Sequence, residues 1–167
     1  LRRQRQMCIR DRAFSELDYR RSIDILQHHY NVILTDCGTG LMHSAMAGVL
    51  DLANALVLVT SPALDGAQSA SATLDWLNLH GYDQLAANAT VVISAAAPGK
   101  PTVDTAKLAA HFASRARAVH TIPYDRHLAE GAVVDLDRLA SPTKRAYQYL
   151  AADMASDFGA WHKHAAH

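Results

Sequence analysis

The sequence predicts an α/β fold in which a mostly parallel sheet is flanked by helices. Short apolar runs recur along the chain, as in strands that are buried on both faces. Longer segments with helical character separate these runs, and this alternation is typical of βαβ units. Half of the 167 residues are hydrophobic, so the chain is able to build a core.

The predicted elements alternate in a regular order. Ser15 can cap the first helix, because its side chain can accept a hydrogen bond from the first helical turn. The predicted helices cover residues 15–29, 42–53, 66–80, 103–117 and 142–158. The predicted buried strands cover residues 32–34, 55–60, 90–94 and 118–122. A Pro- and Gly-rich loop follows the third strand, and an irregular connection over 123–139 follows the fourth.

Charge is distributed unevenly although the formal net charge is zero. Residues 1–12 contain five arginines and one aspartate, whereas the remainder contains 11 basic and 15 acidic side chains. Because acidic side chains outnumber basic ones in this remainder, its charge does not indicate nucleic-acid binding. Residues 1–12 could form a basic arm, but they resemble a peptide produced by translating sequencing adapters. We interpret them as a non-native or disordered segment and residues 13–167 as the domain.

Cysteine and histidine usage predicts neither a disulfide framework nor a metal site built from these residue types. Cys8 and Cys37 lack metal spacing, and the ten histidines lack matching ligands. No apolar run approaches the length of a membrane span. These features predict a cytoplasmic protein, with membrane association through a partner as an alternative.

Polar residues stand at the predicted ends of the strands, where ligands bind in open parallel sheets. Asp36 ends the first strand and precedes Gly38 and Gly40. A carboxylate at a buried strand end needs a partner, and Mg²⁺ would be one. Glycines would let the backbone approach a phosphate. The alternative is that Asp36 caps the next helix while the glycines make a turn.

Three segments resemble MinD/ParA-family P-loop ATPases in the order in which that family has them. YNVILTDCGTG is similar to the switch II segment, LANALVLVTSPALDGAQSASATLDWL to the next strand and helix, and IPYDRHLAEG to the late I-P-x-D segment. Together they cover residues 14–158. The amino-acid sequence in the middle of the chain most resembles that of actinobacterial MinD-like proteins, some of which are associated with type VII secretion.

The resemblance implies roles for individual residues. Asp36 would hold Mg²⁺ through water, Gly40 would sense the γ-phosphate, and Pro123 and Asp125 would lie beside the adenine or ribose. Ser94 stands where relatives commonly have an asparagine that reads the adenine edge.

The resemblance also concerns the whole protein, whose full-length parent would use ATP and Mg²⁺. That parent would form an ATP-dependent homodimer and bind a protein partner on DNA, a membrane or a secretion apparatus. The family's Gly-rich phosphate loop is not in this sequence. We therefore expect the chain to be a C-terminal part that does not hydrolyse ATP. Because the missing strand would lie centrally in the sheet, we also expect the chain to be poorly stable alone.

Two other functions remain open. A non-catalytic MinD-like adaptor would explain Ser94 and the missing loop, and a receiver domain would use Asp36 as its phosphoacceptor. In the last helix, an apolar stripe could bind a membrane, but Asp153 and Asp157 intervene and core packing is favoured. The stripe consists of Leu150, Met154, Phe158 and Trp161.

Overall fold

The computed structural model describes residues 15–38, 45–99, 103–131 and 133–158. The chain forms two compact units, Leu1–Ala53 and Asn54–His167. The predicted α/β class is confirmed, since the second unit contains a three-stranded parallel sheet flanked by helices.

The described part of the first unit contains helices α1 (Glu16–Leu26) and α2 (Met46–Leu52). Ser15 caps α1 as predicted, because its Oγ accepts a hydrogen bond from the backbone N–H of Asp18 at 3.2 Å. The Asp18 carboxylate accepts from the backbone N–H of Ser15 in return, also at 3.2 Å. This reciprocal capping satisfies donors that the first turn of a helix leaves unpaired.

Polar contacts connect α1 to the rest of its unit. The hydroxyl of the buried Tyr19 lies 2.9 Å from Thr35 Oγ1. Arg20 pairs with Glu16 on its own helix and with Asp51 on α2. A Cβ at Gly48 of α2 would lie 2.8 Å from Glu16 Cγ, so the glycine permits close approach of the two helices.

The predicted strand at 32–34 is wrong. The segment forms neither helix nor strand, and Val32 and Leu34 are 52% and 91% exposed. A strand exists only when a neighbour takes up its backbone hydrogen bonds, and the described residues of this unit contain no second strand. The apolar run suggested burial, but the sequence pattern cannot show whether a pairing partner is present.

The second unit is built on strands β1 (Val57–Thr60), β2 (Thr90–Ser94) and β3 (Ala118–Ile122). The sheet order is β1-β2-β3, and both neighbouring pairs are parallel. The predicted bounds of β2 and β3 are confirmed, whereas β1 begins two residues after the predicted start at residue 55. The register places Val57 beside Thr90 and Ser94 beside Ile122.

Helices follow each strand. They are α3 (Leu64–Leu79), α4 (Asp83–Ala87), α5 (Thr105–Ala113), α6 (Arg126–Ala129) and α7 (Ser141–Ser156), with a 3₁₀ turn at Leu136–Arg138. Two polar contacts join α3 to α5: Ser71 Oγ lies 3.1 Å from His111 Nε2, and Asp75 forms an ion pair with Arg115. Within the described ranges, no helix has the length and apolar character needed to cross a membrane.

The core of the second unit lies around β2. Val91 and Ile93 are fully buried, and Thr90 and Val92 on the opposite face are almost fully buried. Side chains of α3 and α5 complete the core, among them Leu74, Leu77 and Phe112. On the edge strand β1, Val57 and Val59 remain 40% and 64% exposed. The sheet is therefore fully covered at its centre and only partly covered at β1.

Leu77 and Leu79 provide a matched test of this packing, because α3 carries the same side chain at 0% and 82% exposure. We expect Leu77→Ala to lower the free energy of unfolding by about 2–5 kcal/mol, since it removes buried groups and leaves a cavity. Leu79→Ala should change this free energy by less than about 0.5 kcal/mol. Urea denaturation followed by circular dichroism measures both changes, and equal losses would contradict the packing described above.

Candidate functional site

Three of the predicted site residues lie at the carboxyl ends of the strands. Ser94 ends β2, while Pro123 and Asp125 follow β3 directly. Because Ser94 is in register with Ile122, these three residues lie together at the carboxyl ends of the strands. Asp36 belongs to the first unit, and Gly40 lies outside the described residues.

Asp36 lies in an exposed turn and not at the end of a strand. Its Oδ1 accepts a hydrogen bond from the backbone N–H of Gly38 at 2.9 Å, and Gly38 has a positive φ of 62°. This geometry agrees with the turn in the alternative interpretation, but Asp36 does not cap α2, whose N-cap position is Ala45. In the parts of the chain that the structure describes, no three His, Cys, Asp or Glu side chains cluster so that they could hold a metal ion. Mg²⁺ binding by Asp36 stays a prediction.

Asp125 is a buried carboxylate that joins two helices. Its Oδ1 accepts from the backbone N–H of His127 and caps α6, and its Oδ2 accepts from the backbone N–H of Ala140, each at 2.9 Å. The hydrogen bond from Ala140 is the main cause that holds the pKa of Asp125 below its ordinary value, against an opposing effect of burial. The buried Thr143 hydroxyl adds to this lowering of the pKa, although its geometry falls outside that of a hydrogen bond.

His127 forms the second part of this network. The ring is buried, and its Nε2 lies 2.8 Å from the backbone N–H of Asp135. Since that N–H donates, Nε2 must accept, and we assign the ring proton to Nδ1. Nδ1 lies 3.3 Å from Glu130 Oε2, which also accepts from Arg138 at 2.9 Å. These contacts attach the segment between α6 and α7 to α6.

The family resemblance implied that Asp125 contacts a nucleotide, and the sequence pattern predicted only an irregular connection over 123–139. The structure shows that Asp125 caps a helix, and the signal was present: an aspartate directly before a short helical run is a typical N-cap. The role of His127 could not be found, because its partner on Asp135 lies eight residues away through an irregular segment.

A groove of about 480 Å³ lies between β3 and α7 and opens widely to solvent. One wall is the β3 segment, with Val119, His120, Thr121 and Pro123. The other wall is a stripe of α7 with the spacing i, i+3, i+4 and i+7, formed by Pro142, Arg145, Ala146 and Tyr149. A strand segment that faces one side of a helix makes this groove a concave candidate site.

An ion cluster holds α7 against β3 behind the groove. Arg117 contacts both carboxylate oxygens of Asp153 at 3.0 Å and donates to Thr90 Oγ1 at 2.9 Å. His120 Nε2 lies 3.2 Å from Asp153 Oδ2. Burial raises the pKa of Asp153, but Arg117 and then His120 outweigh it, so the pKa lies below its ordinary value. Sequence reasoning missed this cluster, since it considered Asp153 only as an interruption of the apolar stripe.

The predicted apolar stripe, which begins in α7, is partly in contact with the protein over its described residues. Leu150, Met154 and Phe158 are half-buried, and Trp161 lies outside the described residues. Core packing of the stripe stays a prediction, with membrane binding as its alternative.

Replacement of Asp125 tests whether the carboxylate stabilises the fold. A folded-state pKa below the ordinary Asp value of about 4 means that the contribution is complete above that value. It is lost as the pH falls through the lowered folded-state pKa. We therefore expect Asp125→Asn to lower the Tm at pH 7, and we expect the difference from the unaltered chain to shrink in acid below pH ~4. Thermal denaturation at a series of pH values measures this.

The control for that substitution is Asp137→Asn, because the Asp137 side chain is fully exposed and lies 3.9 Å from Lys144. It should leave the Tm almost unchanged at every pH. A Tm difference for Asp125→Asn that did not depend on pH would contradict the stabilising role of the charged carboxylate.

The sequence of this chain is similar to that of proteins described as secretion-associated. No family model matches it, and no solved structure matches it. The ESX-1 secretion-associated protein EspI of Mycobacterium tuberculosis, from strains CDC 1551 / Oshkosh and ATCC 25618 / H37Rv, is 40% identical over 149 residues. The match covers 88% of this chain and 22% of each relative. The chain therefore spans about a fifth of the length of the curated relatives it matches.

The identification of the chain as a MinD/ParA-family ATPase is wrong. The relatives are described as ESX-1 secretion-associated proteins and not as MinD/ParA ATPases, and no family model supports the assignment. The segments that carried the resemblance are short apolar runs followed by polar or turn-forming residues, and such runs do not identify one family of α/β proteins. The ligand roles given to Asp36, Gly40, Ser94, Pro123 and Asp125 rested on that resemblance and stay untested. The expected link to type VII secretion agrees with the similarity of the chain to ESX-1 secretion-associated proteins.

Proposed function

We propose that this chain is the α/β module of a longer protein that takes part in ESX-1-type secretion. The observation that carries the proposal is the 40% identity to EspI over 88% of the chain. A continuous match of that length contains all three strands, whichever end it leaves out. The proposed shared part is therefore the three-stranded sheet together with most of the remaining chain.

The proposed contribution of this module is to present a stable surface within the longer protein. Polar groups at both ends of the strands are engaged in holding the fold: Asp125, after the carboxyl end of β3, bonds to the backbone at His127 and Ala140, and Arg117, before its amino end, is paired with Asp153. These contacts keep α7 and the segment before it in place beside β3. The geometry supports a rigid scaffold with an accessible groove, which suits a protein that acts by binding other components.

A segment exchange in Mycobacterium tuberculosis tests the proposal. The EspI segment that matches this chain is deleted in one strain and replaced by the residues of this chain in another. ESX-1-dependent proteins in the culture filtrate are then quantified by mass spectrometry, with a strain that lacks the ESX-1 apparatus defining that dependence. We expect the deletion to alter their amounts and the exchange to restore the parental amounts.

Two variants of the exchanged segment serve as matched controls. Leu77→Asp places a charge at a fully buried position and should behave like the deletion, whereas Leu79→Asp places it at an exposed position of the same helix and should restore secretion. Immunoblots confirm that the chimaeric proteins accumulate. An unaltered filtrate after deletion, or an accumulated exchange protein that behaves like the deletion, would overturn the proposal.

A further inference from the structure

The outer edge of β3 has no strand partner in the described part of the chain. β2 pairs with β3 along one edge, and the sheet order ends at β3. Backbone N–H and C=O groups along such an edge can pair with an additional strand. Partner proteins use exposed sheet edges in this way, by adding an extended peptide as a further strand.

The groove between β3 and α7 reaches this edge, because three consecutive residues of β3 line it and consecutive side chains of a strand point to opposite faces of the sheet. Val119, His120 and Thr121 of β3 line one wall, and the stripe of α7 that includes Arg145 and Tyr149 lines the other. An extended peptide seated there would have the strand edge on one side and side chains of α7 on the other. Pro123 lacks a backbone N–H and directly follows the strand, so pairing would be confined to about the length of β3.

The charge of the groove differs from that of the protein body. None of the lining residues is acidic, and the two that can carry charge are Arg145 and His120, whereas residues 13–167 contain 11 basic and 15 acidic side chains. Within the ranges that the structure describes, Arg145 has no ion-pair partner, in contrast to His120, which faces Asp153. An exposed, unpaired guanidinium favours a carboxylate as its partner.

We propose that the groove binds an extended, acidic peptide segment of a partner protein, which pairs with the outer edge of β3. A carboxylate of the peptide contacts Arg145, and an apolar side chain of the peptide rests on Pro142 and Tyr149, of which Tyr149 is 68% exposed. The arrangement joins main-chain pairing, which gives affinity, to one charge contact and one apolar contact, which give selectivity. This inference goes beyond the role in secretion and does not depend on it.

Selection from a random peptide library tests the proposal with the full chain. A phage-displayed library of unstructured peptides is enriched on the immobilised chain, and enriched sequences are synthesised and their affinities measured by fluorescence anisotropy. We expect acidic sequences to be enriched. Arg145→Glu should weaken their binding by about tenfold or more, because it removes a hydrogen bond between charged groups.

Lys144→Glu is the matched control, since it makes the same charge change on the neighbouring residue of α7, which does not line the groove. It should leave the affinity nearly unchanged. Thermal denaturation of both variants confirms that they are folded. Hydrogen exchange adds a readout specific for strand addition, because bound peptide should slow exchange of backbone amides at 118–122.

Four results would overturn the proposal. The first is a library that yields no peptide above background. The second is that enriched peptides bind Arg145→Glu as well as the unaltered chain. The third is that bound peptide slows amide hydrogen exchange at 57–60 and not at 118–122. The fourth is a concentration-dependent dimer that protects 118–122 without peptide, since it would assign the edge to a second copy of the chain.

Discussion

The second unit depends on β2 being paired along both edges and covered on both faces. A parallel strand in this position must place apolar side chains on both sides, and TVVIS does so with Thr90 as the only polar side chain among its buried residues. Thr90 is satisfied because Arg117 donates to its hydroxyl. The same arginine also holds Asp153, so the contact that makes a polar residue acceptable in the central strand also positions α7.

Sequence reasoning succeeded where structure is determined by local patterns. The apolar runs at 90–94 and 118–122 have the bounds of real strands, and Ser15 forms the cap that its position suggested. It failed at 32–34, because strand formation needs a partner that is distant in sequence. It also missed α4, a helix too short to show an apolar period.

The candidate site was less predictable than the fold, for a similar reason. Ser94 was correctly expected at a strand end, whereas Asp36 was expected at one and lies in a turn. The chemistry of the site residues depends on neighbours that no local pattern shows: Asp125 meets the backbone of Ala140, 15 residues later. The groove combines β3 with a helix that begins about 20 residues further along the chain, so neither wall alone indicated it.

The order of the strands has a consequence for how the chain folds. Because β1, β2 and β3 are neighbours in space in the same order as in sequence, each strand can join the sheet as soon as its own crossover is complete. None of these three strands has to be inserted later between two that are already paired. Such sequential pairing keeps the contacts of the sheet comparatively local, and local contacts favour rapid folding. The sheet can thus grow during synthesis from β1 towards β3, with α7 closing onto its last strand at the end.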